Sequence, residues 1–492
     1  MLRQFSNHQS LITVFIGLVM WLWGANLYAQ PDTLWTRTFG GTEDEGGYSV
    51  QQTTDGGYII AGYTCSYGAG AADVWLIKTD SNGDTLWTKT FGGSGTDKGY
   101  SVQQTIDGGY IVVGETNSYG AGYYDVWLIK TDSDGEVLWT ETFGGPNWDR
   151  GECVQETSDS GYIVVGWTHS FGAGDADVWL IKTDSNGDTL WTKTFGKAHW
   201  EGGYSVQQTT DGGYIVSGST NSFGAGADDV WLIKTNSNGD TLWTKTFGGY
   251  LSDFGRSVQQ TSDGGYIVAG WTGTYDAAGD FYLIKTDSLG DTLWTRVYGG
   301  TDADRGYSVR QTADGGYIVT GYTLSYGPGG YDVWIIKTDS MGDTVWTSAY
   351  GTVVAPYNDI GYSVRQTTDG GYIVAGYAEI YGPEARQVWL IKIAPEVGIE
   401  ESVKSKDARF LLNYPNPFTG VAEIGYGLPE DTRVIISIYN CLGQKVATIV
   451  DAKKSRGYHT ANWDAKKMSA GVYFIKLKVE DYTETEKIVL LR

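Results

Sequence analysis

The chain has 492 residues, among them 71 Gly, 20 Trp, 35 Tyr and only 9 Pro, and its formal net charge is −23. It is too long for one compact core, and an apolar fraction of 41% excludes a disordered or collagen-like chain. The negative charge disfavours nucleic acid and anionic membranes as partners, because both would be repelled. Cys65, Cys153 and Cys441 are widely spaced and odd in number, so they indicate no disulfide framework. We therefore expect an ordered, repetitive protein.

Residues 1–29 have the plan of a secretory signal peptide. Arg3 precedes an apolar run of 13 residues, Leu11–Trp23, and the segment ends at Ala29 in the sequence Gly-Ala-Asn-Leu-Tyr-Ala. This run is shorter than the about 20 residues that a membrane-spanning helix needs. We expect cleavage near Ala29, export from the cytoplasm and no transmembrane segment in the mature chain.

The phrase Asp-Gly-Gly-Tyr-Ile recurs through residues 30–395 with a period close to 52 residues. Its Asp stands at positions 55, 107, 211, 263, 314 and 369, and the variant Asp159-Ser160-Gly161-Tyr162 fills the remaining gap. Each period holds four strand-length runs separated by Asp-Gly and Asn-Gly turns, which are typical of β-hairpins. The third run, Val-Trp-Leu-Ile, is continuously apolar, which predicts burial on both faces. Four-stranded repeats that pack against like neighbours are typical of β-propeller blades.

The order of the strands predicts how the ring closes. The chain enters the repeats with a fourth-type strand at residues 32–39 and leaves them on a third-type strand at residues 387–393. The last blade lacks its outer strand unless the N-terminal strand supplies it, which is how propellers avoid an open seam. An open solenoid would leave that first strand unpaired. The predicted fold is all-β: a seven-bladed β-propeller of four-stranded blades, closed by the N-terminal strand, and a small C-terminal β-sandwich.

The repeats resemble the tryptophan- and glycine-rich propeller repeats common in exported bacterial proteins. The matching phrases are Trp-Thr-Lys-Thr-Phe-Gly-Gly at 87–93 and Asp-Gly-Gly-Tyr-Ile-Val-Val-Gly at 107–114. The resemblance covers residues 32 to about 394. It implies a propeller fold and carries no chemistry that can be assigned to this chain.

The tail is a different module. Residues 396–411 are polar and charged, which predicts a linker, and residues 412–492 alternate apolar and polar side chains in short runs, which predicts a small sandwich. Its motifs resemble the type A C-terminal sorting domain of the bacterial type IX secretion system, and an ordinary binding sandwich is the alternative. The resemblance implies recognition by the outer-membrane machinery, removal of the tail in most members, and display on the cell surface or release. The motif residues are Asn413, Tyr414, Pro415, Asn416, Pro417, Phe418, Gly443 and Lys487.

Acidic side chains recur once per repeat just before the first strand, and such a ring can hold Ca²⁺ through oxygen ligands. In the alternative, each carboxylate accepts backbone N–H bonds in a tight loop; seven-fold repetition favours this structural role, because a site usually departs from its scaffold's symmetry. The candidate metal residues are Glu45, Asp97, Asp149, Glu201, Asp253, Asp304 and Asp359. A second acidic set opens the third strand at Asp73, Asp125, Asp177, Asp229, Asp280 and Asp332.

No residue set indicates catalysis. His169 and His199 are the only histidines of residues 30–395. The repeats therefore offer almost no candidate residues for a zinc site built from histidines or for a Ser-His-Asp triad. A glycosidase that uses two carboxylates stays open, but nothing singles out one pair. The repeated lysines of the third strand are predicted to pair with the acidic loops rather than to act as catalytic amines.

Side chains that depart from the repeat are the candidates for a ligand site. Exposed Trp beside carboxylates suits carbohydrate, because the C–H faces of sugars stack on rings and their hydroxyls bond to acids and amides. In the alternative, a loop Trp only covers the edge of a blade. The candidates are Trp148, Trp167, His169, His199, Trp200 and Trp271.

These patterns favour an exported scaffold, on the cell surface or released, that binds a glycan or a protein surface partner. Two alternatives remain at this point. One is an extracellular enzyme that degrades polysaccharide or peptide with carboxylates on the propeller face, and the other is a structural surface protein stabilised by Ca²⁺. No other cofactor is indicated.

Overall fold

The computed structural model separates two compact units, one within residues 30–396 and the other within residues 397–492. The predicted signal peptide and most of the predicted linker lie outside the described residues. Within the described residues the secondary structure is all strand, and no helix there is long and apolar enough to cross a membrane. The described residues are 31–490 except 275–277, 352–356, 380–385, 397–408, 415–419, 429–430, 442, 456 and 480–481.

The described part of the first unit holds seven four-stranded antiparallel sheets, one per repeat. The outer strand of six sheets follows the third strand in sequence, and the seventh sheet uses the first strand of the chain. The first strands, which number the repeats one to seven, are β2 (Glu45–Gln52), β6 (Asp97–Gln104), β10 (Asp149–Glu156), β14 (Glu201–Gln208), β18 (Asp253–Gln260), β22 (Asp304–Gln311) and β26 (Asp359–Gln366). The second strands are β3 (Tyr58–Thr64), β7 (Tyr110–Thr116), β11 (Tyr162–Thr168), β15 (Tyr214–Thr220), β19 (Tyr266–Thr272), β23 (Tyr317–Thr323) and β27 (Tyr372–Glu379).

The other two strands complete each sheet. The third strands are β4 (Asp73–Thr79), β8 (Asp125–Thr131), β12 (Asp177–Thr183), β16 (Asp229–Thr235), β20 (Asp280–Thr286), β24 (Asp332–Thr338) and β28 (Arg386–Ile393). The fourth strands are β5 (Thr85–Phe91), β9 (Val137–Phe143), β13 (Thr189–Phe195), β17 (Thr241–Phe247), β21 (Thr292–Tyr298), β25 (Thr344–Tyr350) and β1 (Thr33–Phe39). Strand β1 pairs with β28, in a register that places Trp35 opposite Lys392.

The cores of this unit lie between neighbouring sheets. Every residue of the second and third strands of repeat one is buried, as their continuous apolar runs predict, whereas the fourth strand is largely exposed. Val74 packs with Val102 of the next sheet in one such core. Val50 packs in the same way with Leu390, so the first and last repeats share a core. Each buried aliphatic side chain contributes about 1.5–3 kcal/mol.

Polar side chains link neighbouring first strands. The Val102 amide donates to Ser49 Oγ at 3.2 Å, and the Val50 amide donates to Ser363 Oγ at 3.3 Å. In a second set, a turn amide donates to a glutamine or glutamate of the next repeat, as Thr368 N does to Gln52 Oε1 at 2.8 Å. These two kinds of hydrogen bond therefore also form between repeats seven and one.

Each sheet has two ends that differ in their polar contacts. The turn end carries the Asp-Gly turn between the first and second strands, and the loop end carries the loop that enters the first strand. At the turn end a buried lysine of the third strand lies 2.7–3.0 Å from the turn aspartate, not from the loop-end acids that the sequence suggested. The pairs are Lys78–Asp55, Lys130–Asp107, Lys182–Asp159, Lys234–Asp211, Lys285–Asp263, Lys337–Asp314 and Lys392–Asp369.

The tail forms two antiparallel sheets that share one apolar core. Ile424 on one sheet and Ile436 and Ile475 on the other belong to that core and are fully buried. The first tail strand begins at Arg409, inside the interval predicted as a linker. The sheets are β29-β30-β33 and β32-β31-β34-β35, with the strands β29 (Arg409–Tyr414), β30 (Val421–Leu428), β31 (Thr432–Asn440), β32 (Lys445–Lys454), β33 (Gly457–Asp464), β34 (Gly471–Val479) and β35 (Tyr482–Leu490).

Candidate functional site

Three of the predicted ligand residues come together at the loop end of repeats two and three. The Trp148 ring lies 5.4 Å from the Trp167 ring, and Trp167 lies 5.3 Å from His169 in an edge-to-face contact. Tyr124 extends the row, with its ring 5.1 Å from Trp148. Trp167 is buried, but Trp148 keeps 40% of its surface exposed. The row thus has a buried base and an aromatic face in contact with solvent.

A cleft of about 380 Å³ opens beside this row. His169 is held over the cleft by its backbone amide, which donates to Trp148 O at 3.0 Å, and by its ring nitrogen Nδ1, which contacts Asp175 O. The cleft combines two exposed aromatic rings with an amide, an imidazole and a carboxylate, which is the chemistry that binds hydroxylated ligands. Its lining residues are Tyr123, Asn147, Trp148, His169, Gly174 and Asp175.

Three polar side chains beneath the two indole rings, Glu115, Glu152 and Arg150, hold them in place. Trp148 Nε1 donates to Glu115 Oε2 at 3.2 Å, and Trp167 Nε1 donates to Glu152 Oε1 at 3.4 Å. Arg150 lies between these acids, with Nε 2.9 Å from Glu152 and 4.0 Å from Glu115. Burial disfavours its charge, but Glu152, Tyr100 and Glu115 together hold the pKa of Arg150 above its ordinary value. These contacts preorganise the aromatic face.

The other three predicted ligand residues do not line this cleft. His199 is exposed in the equivalent loop of repeat four, where its backbone amide donates to Ser222 Oγ at 3.2 Å. Trp200 lies over Gly202, with its ring 6.4 Å from Tyr204. Trp271 stacks on Phe254 at 4.6 Å, and an arginine of the next repeat covers it. These two tryptophans therefore pack against neighbouring side chains or backbone of the sheets, and their predicted role in ligand binding stays a prediction.

The seven carboxylates predicted to bind Ca²⁺ are buried and receive hydrogen bonds from their own loops. In repeat two, Asp97 Oδ2 accepts from Gly93 N at 3.0 Å and from Ser118 Oγ at 2.6 Å, and Oδ1 accepts from Thr116 and Asn117. Equivalent bonds reach Glu45, Asp149, Glu201, Asp253, Asp304 and Asp359. In the part of the chain that the structure describes, no three His, Cys, Asp or Glu side chains converge to hold a metal ion. Ca²⁺ binding stays a prediction.

The second acidic set at the loop end lies in a less favourable environment. Asp332 is 2% exposed, its Oδ2 accepts from Gly329 N at 3.3 Å, and its buried Oδ1 has no hydrogen-bond partner in the described structure. Burial, with a smaller effect from the charge of Asp359, raises the pKa of Asp332 to about 6. Burial also raises the pKa of Asp125, Asp177 and Asp229.

The structure also contains a cavity whose lining residues the sequence analysis did not identify. It has a volume of about 470 Å³ and is lined by the first strands of all seven sheets. We call this cavity the channel. Most repeats contribute Tyr, Ser and Gln to its wall at three equivalent positions. The residues that depart from this pattern are Glu152, Cys153, Arg256, Arg310 and Arg365. An alignment of the seven first strands by their period would have shown these five departures in the sequence. Only the fold, however, shows that they face one cavity.

The tail residues predicted to carry the sorting motif are described only in part. Asn413 and Tyr414 lie at the end of β29, while Pro415, Asn416, Pro417 and Phe418 lie outside the described residues. Gly443 adopts a φ of +75° in a turn where its amide donates to Asn440 O at 3.0 Å, which requires the left-handed conformation that glycine adopts without strain. Lys487 is exposed on β35, opposite Phe474.

Comparison with known families identifies the tail. Residues 413–491 match the secretion system C-terminal sorting domain. The prediction of a type IX sorting domain is confirmed, and the protein is therefore exported to the cell surface or the extracellular space. The sorting domain identifies the type IX secretion machinery as a partner of the chain.

Several proteins resemble the chain at low sequence identity. The chain is 24% identical over 322 residues to the regulatory protein FlaEY of Caulobacter vibrioides, a match that covers 60% of this chain and 30% of FlaEY. PorZ, a surface component of the type IX secretion system of Porphyromonas gingivalis, is 13% identical with a TM-score of 0.45, over 92% of this chain and 60% of PorZ. A fungal alcohol oxidase of the AA5 family, in complex with copper, is 11% identical with a TM-score of 0.44, over 94% of this chain and all of the oxidase. These similarities are too remote to bear on function.

Proposed function

We propose that the chain is a binding protein, displayed on the cell surface or released, whose repeat unit is a closed seven-bladed propeller that recognises a glycan. Export by the sorting domain brings the repeat unit to the place where polysaccharides and other surface glycans occur. The proposal favours binding over catalysis, because the cleft at the loop end presents stacking surfaces and hydrogen-bonding groups.

Several contacts support a closed ring. Strand β2 packs against β26 and β27 as each first strand packs against the preceding repeat. The apolar core between repeats one and seven and the bond from Thr368 N to Gln52 repeat the contacts of the other junctions. With β1 as the outer strand of the last sheet, each of the seven sheets in the described part of the unit has four strands.

The observation that carries the glycan proposal is the exposed Trp148 face in the cleft. Trp148 is 40% exposed and Tyr123 is 74% exposed, so both rings offer an accessible face on which a sugar ring can stack. Glu115 orients the indole from beneath, so little conformational entropy is lost when a sugar ring stacks on it. Asn147, His169 and Asp175 stand around it as hydrogen-bonding partners for hydroxyl groups.

A glycan array tests this proposal with a matched pair of variants. We expect Trp148→Ala to abolish binding of the recognised glycan, because stacking contributes the largest apolar contact in such a site. Trp200→Ala removes the equivalent side chain of the next repeat, which does not line the cleft, and should bind as the unmodified protein does. Tyr123→Ser should weaken binding in the same way as Trp148→Ala.

Two results would contradict the proposal. One is equal binding by the Trp148→Ala variant and the unmodified protein, when circular dichroism shows that both are folded. The other is a loss of binding in Trp200→Ala that equals the loss in Trp148→Ala, because the cleft would then not be the site.

A further inference from the structure

The channel holds three arginines in a chain whose net charge is −23. Arg256 takes the place of the Tyr of the repeat, and Arg310 and Arg365 take the place of a Gln in the adjacent repeats six and seven. The one acid among the departures, Glu152, pairs with Arg150 instead. The channel wall is therefore basic, whereas the chain as a whole carries a net negative charge.

The glutamines in the position of Arg310 and Arg365 link neighbouring repeats by a hydrogen bond. Their side-chain oxygen accepts a hydrogen bond from a backbone amide of the next repeat, as Gln51 Oε1 does from Gln104 N at 2.7 Å. The same bond forms from Glu156 to Gln103, from Gln208 to Gln155, from Gln260 to Gln207 and from Gln311 to Gln259. At the two remaining junctions the equivalent amides belong to Gln366 and Gln52. There Arg310 and Arg365 offer donors only, because a guanidinium has no acceptor.

In both arginines the Nε donor is buried and has no hydrogen-bond partner among the described residues. The side chain of Arg365 makes no hydrogen bond and no ion pair with the described residues. Arg310 donates to Ser257 Oγ at 3.2 Å and to Val309 O at 2.6 Å, yet its Nε is also buried without a partner. Burial lowers the pKa of Arg365 to about 10, which leaves the group charged at neutral pH. Both side chains are half-buried, and a buried N–H donor without a partner is unfavourable unless an acceptor is bound.

We propose that the channel binds an oxyanion, a carboxylate or a sulfate group, through Arg310 and Arg365, which both line it. Guanidinium groups bind both classes through paired N–H bonds. The surrounding Ser, Gln and Tyr side chains offer hydrogen bonds to a hydroxylated group attached to the anion. Thr368, at the turn end, belongs to the lining, which places this site apart from the Trp148 cleft at the loop end.

Isothermal titration calorimetry on the full chain tests the site with sodium sulfate and sodium D-galacturonate, and D-galactose serves as the neutral control. We expect both anions, or one of them, to bind and galactose not to bind; which anion binds identifies the source of the charge. The double variant Arg310→Gln/Arg365→Gln restores the residue of the other five repeats, so it should fold. We expect it to bind the anion at least about ten-fold more weakly.

A charge control separates site binding from general attraction. Arg296→Gln removes the same charge from the outer surface, where Arg296 pairs with Asp343 at 3.1 Å, and should bind the anion as the unmodified protein does. The bound anion should also raise the melting temperature of the unmodified protein and not that of the double variant. Absence of anion binding by the unmodified protein, or equal binding by the double variant, would overturn the proposal. Either result leaves the Trp148 cleft untouched.

Discussion

In the sheets of repeats two, three, four and six, the two ends hold carboxylates whose pKa values are shifted in opposite directions. At the turn end, burial alone would raise the pKa of the aspartates, but hydrogen bonds from Lys and Thr outweigh it and hold Asp55, Asp211 and Asp263 at about 2. At the loop end, burial beside further acids raises the pKa of Asp332 to about 6. The turn end is thus a satisfied framework that repeats seven times, while the loop end carries unfavourable charge and the exposed aromatic residues. Stability is therefore expected to depend mainly on the turn end, and glycan binding on the loop end.

The largest effect is expected from removing a turn-end lysine. In Lys182→Met the bond to Thr183 O and the ion pair between the buried Lys182 and the exposed Asp159 are lost, which should lower the free energy of unfolding by about 2–3 kcal/mol. Urea denaturation measures this change. Lys193→Met is the control, because Lys193 pairs with Asp240 at the surface, where such a pair contributes about 0–1 kcal/mol. Equal losses in both variants would show that the turn end has no special role.

Asp332→Asn should have the opposite sign at neutral pH. The folded carboxyl has a pKa near 6 against an ordinary value of 3.8, so the folded state loses stability as the pH rises through this interval. Asn carries no charge, and the variant should be more stable by about 1–2 kcal/mol at pH 8, with the gain shrinking towards pH 4. Melting temperatures across pH 4–8 measure it, and a gain independent of pH would contradict the electrostatic cause.

Asp211→Asn sharpens the same comparison from the turn end. Here the folded pKa is about 2, below the ordinary value of 3.8, so the charged form stabilises the fold above pH 4 and this contribution disappears as the pH falls towards 2. We expect a loss of about 1 kcal/mol at pH 7, which vanishes in acid. If Asp211→Asn and Asp332→Asn shift stability in the same direction at pH 8, the two ends do not differ as described.

A smaller gain is expected from Ser160→Gly at the turn end of repeat three. Ser160 has a φ of +63°, and no other non-glycine residue in the described parts of the chain has a positive φ. The other six repeats carry Gly here, so the variant removes local strain and should stabilise the protein by about 0.5–1 kcal/mol. Thermal unfolding tests it, with Gly108→Ser in repeat two as the converse variant that should lose a similar amount.

The smallest effect is expected from a chelator. Loop amides and hydroxyls already bond to the candidate metal carboxylates such as Asp97 and Asp149, so removal of Ca²⁺ with EDTA should leave the melting temperature unchanged within about 1 °C. A clear fall in the melting temperature, reversed by added Ca²⁺, would instead establish the calcium-stabilised alternative for the loop end.

The periodic part of the fold could be read from the sequence. Turn residues and apolar runs act locally, so the Asp-Gly turns and the Val-Trp-Leu-Ile runs specify four strands per repeat, and the described strands follow them. The sorting domain was likewise recognised from its own motifs and is confirmed. The candidate site was accessible only in part, because Trp148 and Trp200 occupy equivalent positions in the sequence and only one of them lines the cleft.

What the sequence by itself determined is therefore the all-β class, the repeat of four strands, the type IX tail and the set of residues that break the repeat. The tertiary structure decided which of those exceptions meet. In the fold, Trp148 donates a hydrogen bond to Glu115, whereas Trp200 lies over Gly202. The fold also brings Arg310 and Arg365, from two different repeats, to one cavity. The reason is physical: strand propensity and turn chemistry are local in the chain, whereas clefts, channels and shifted pKa values arise from contacts between residues that the sequence separates.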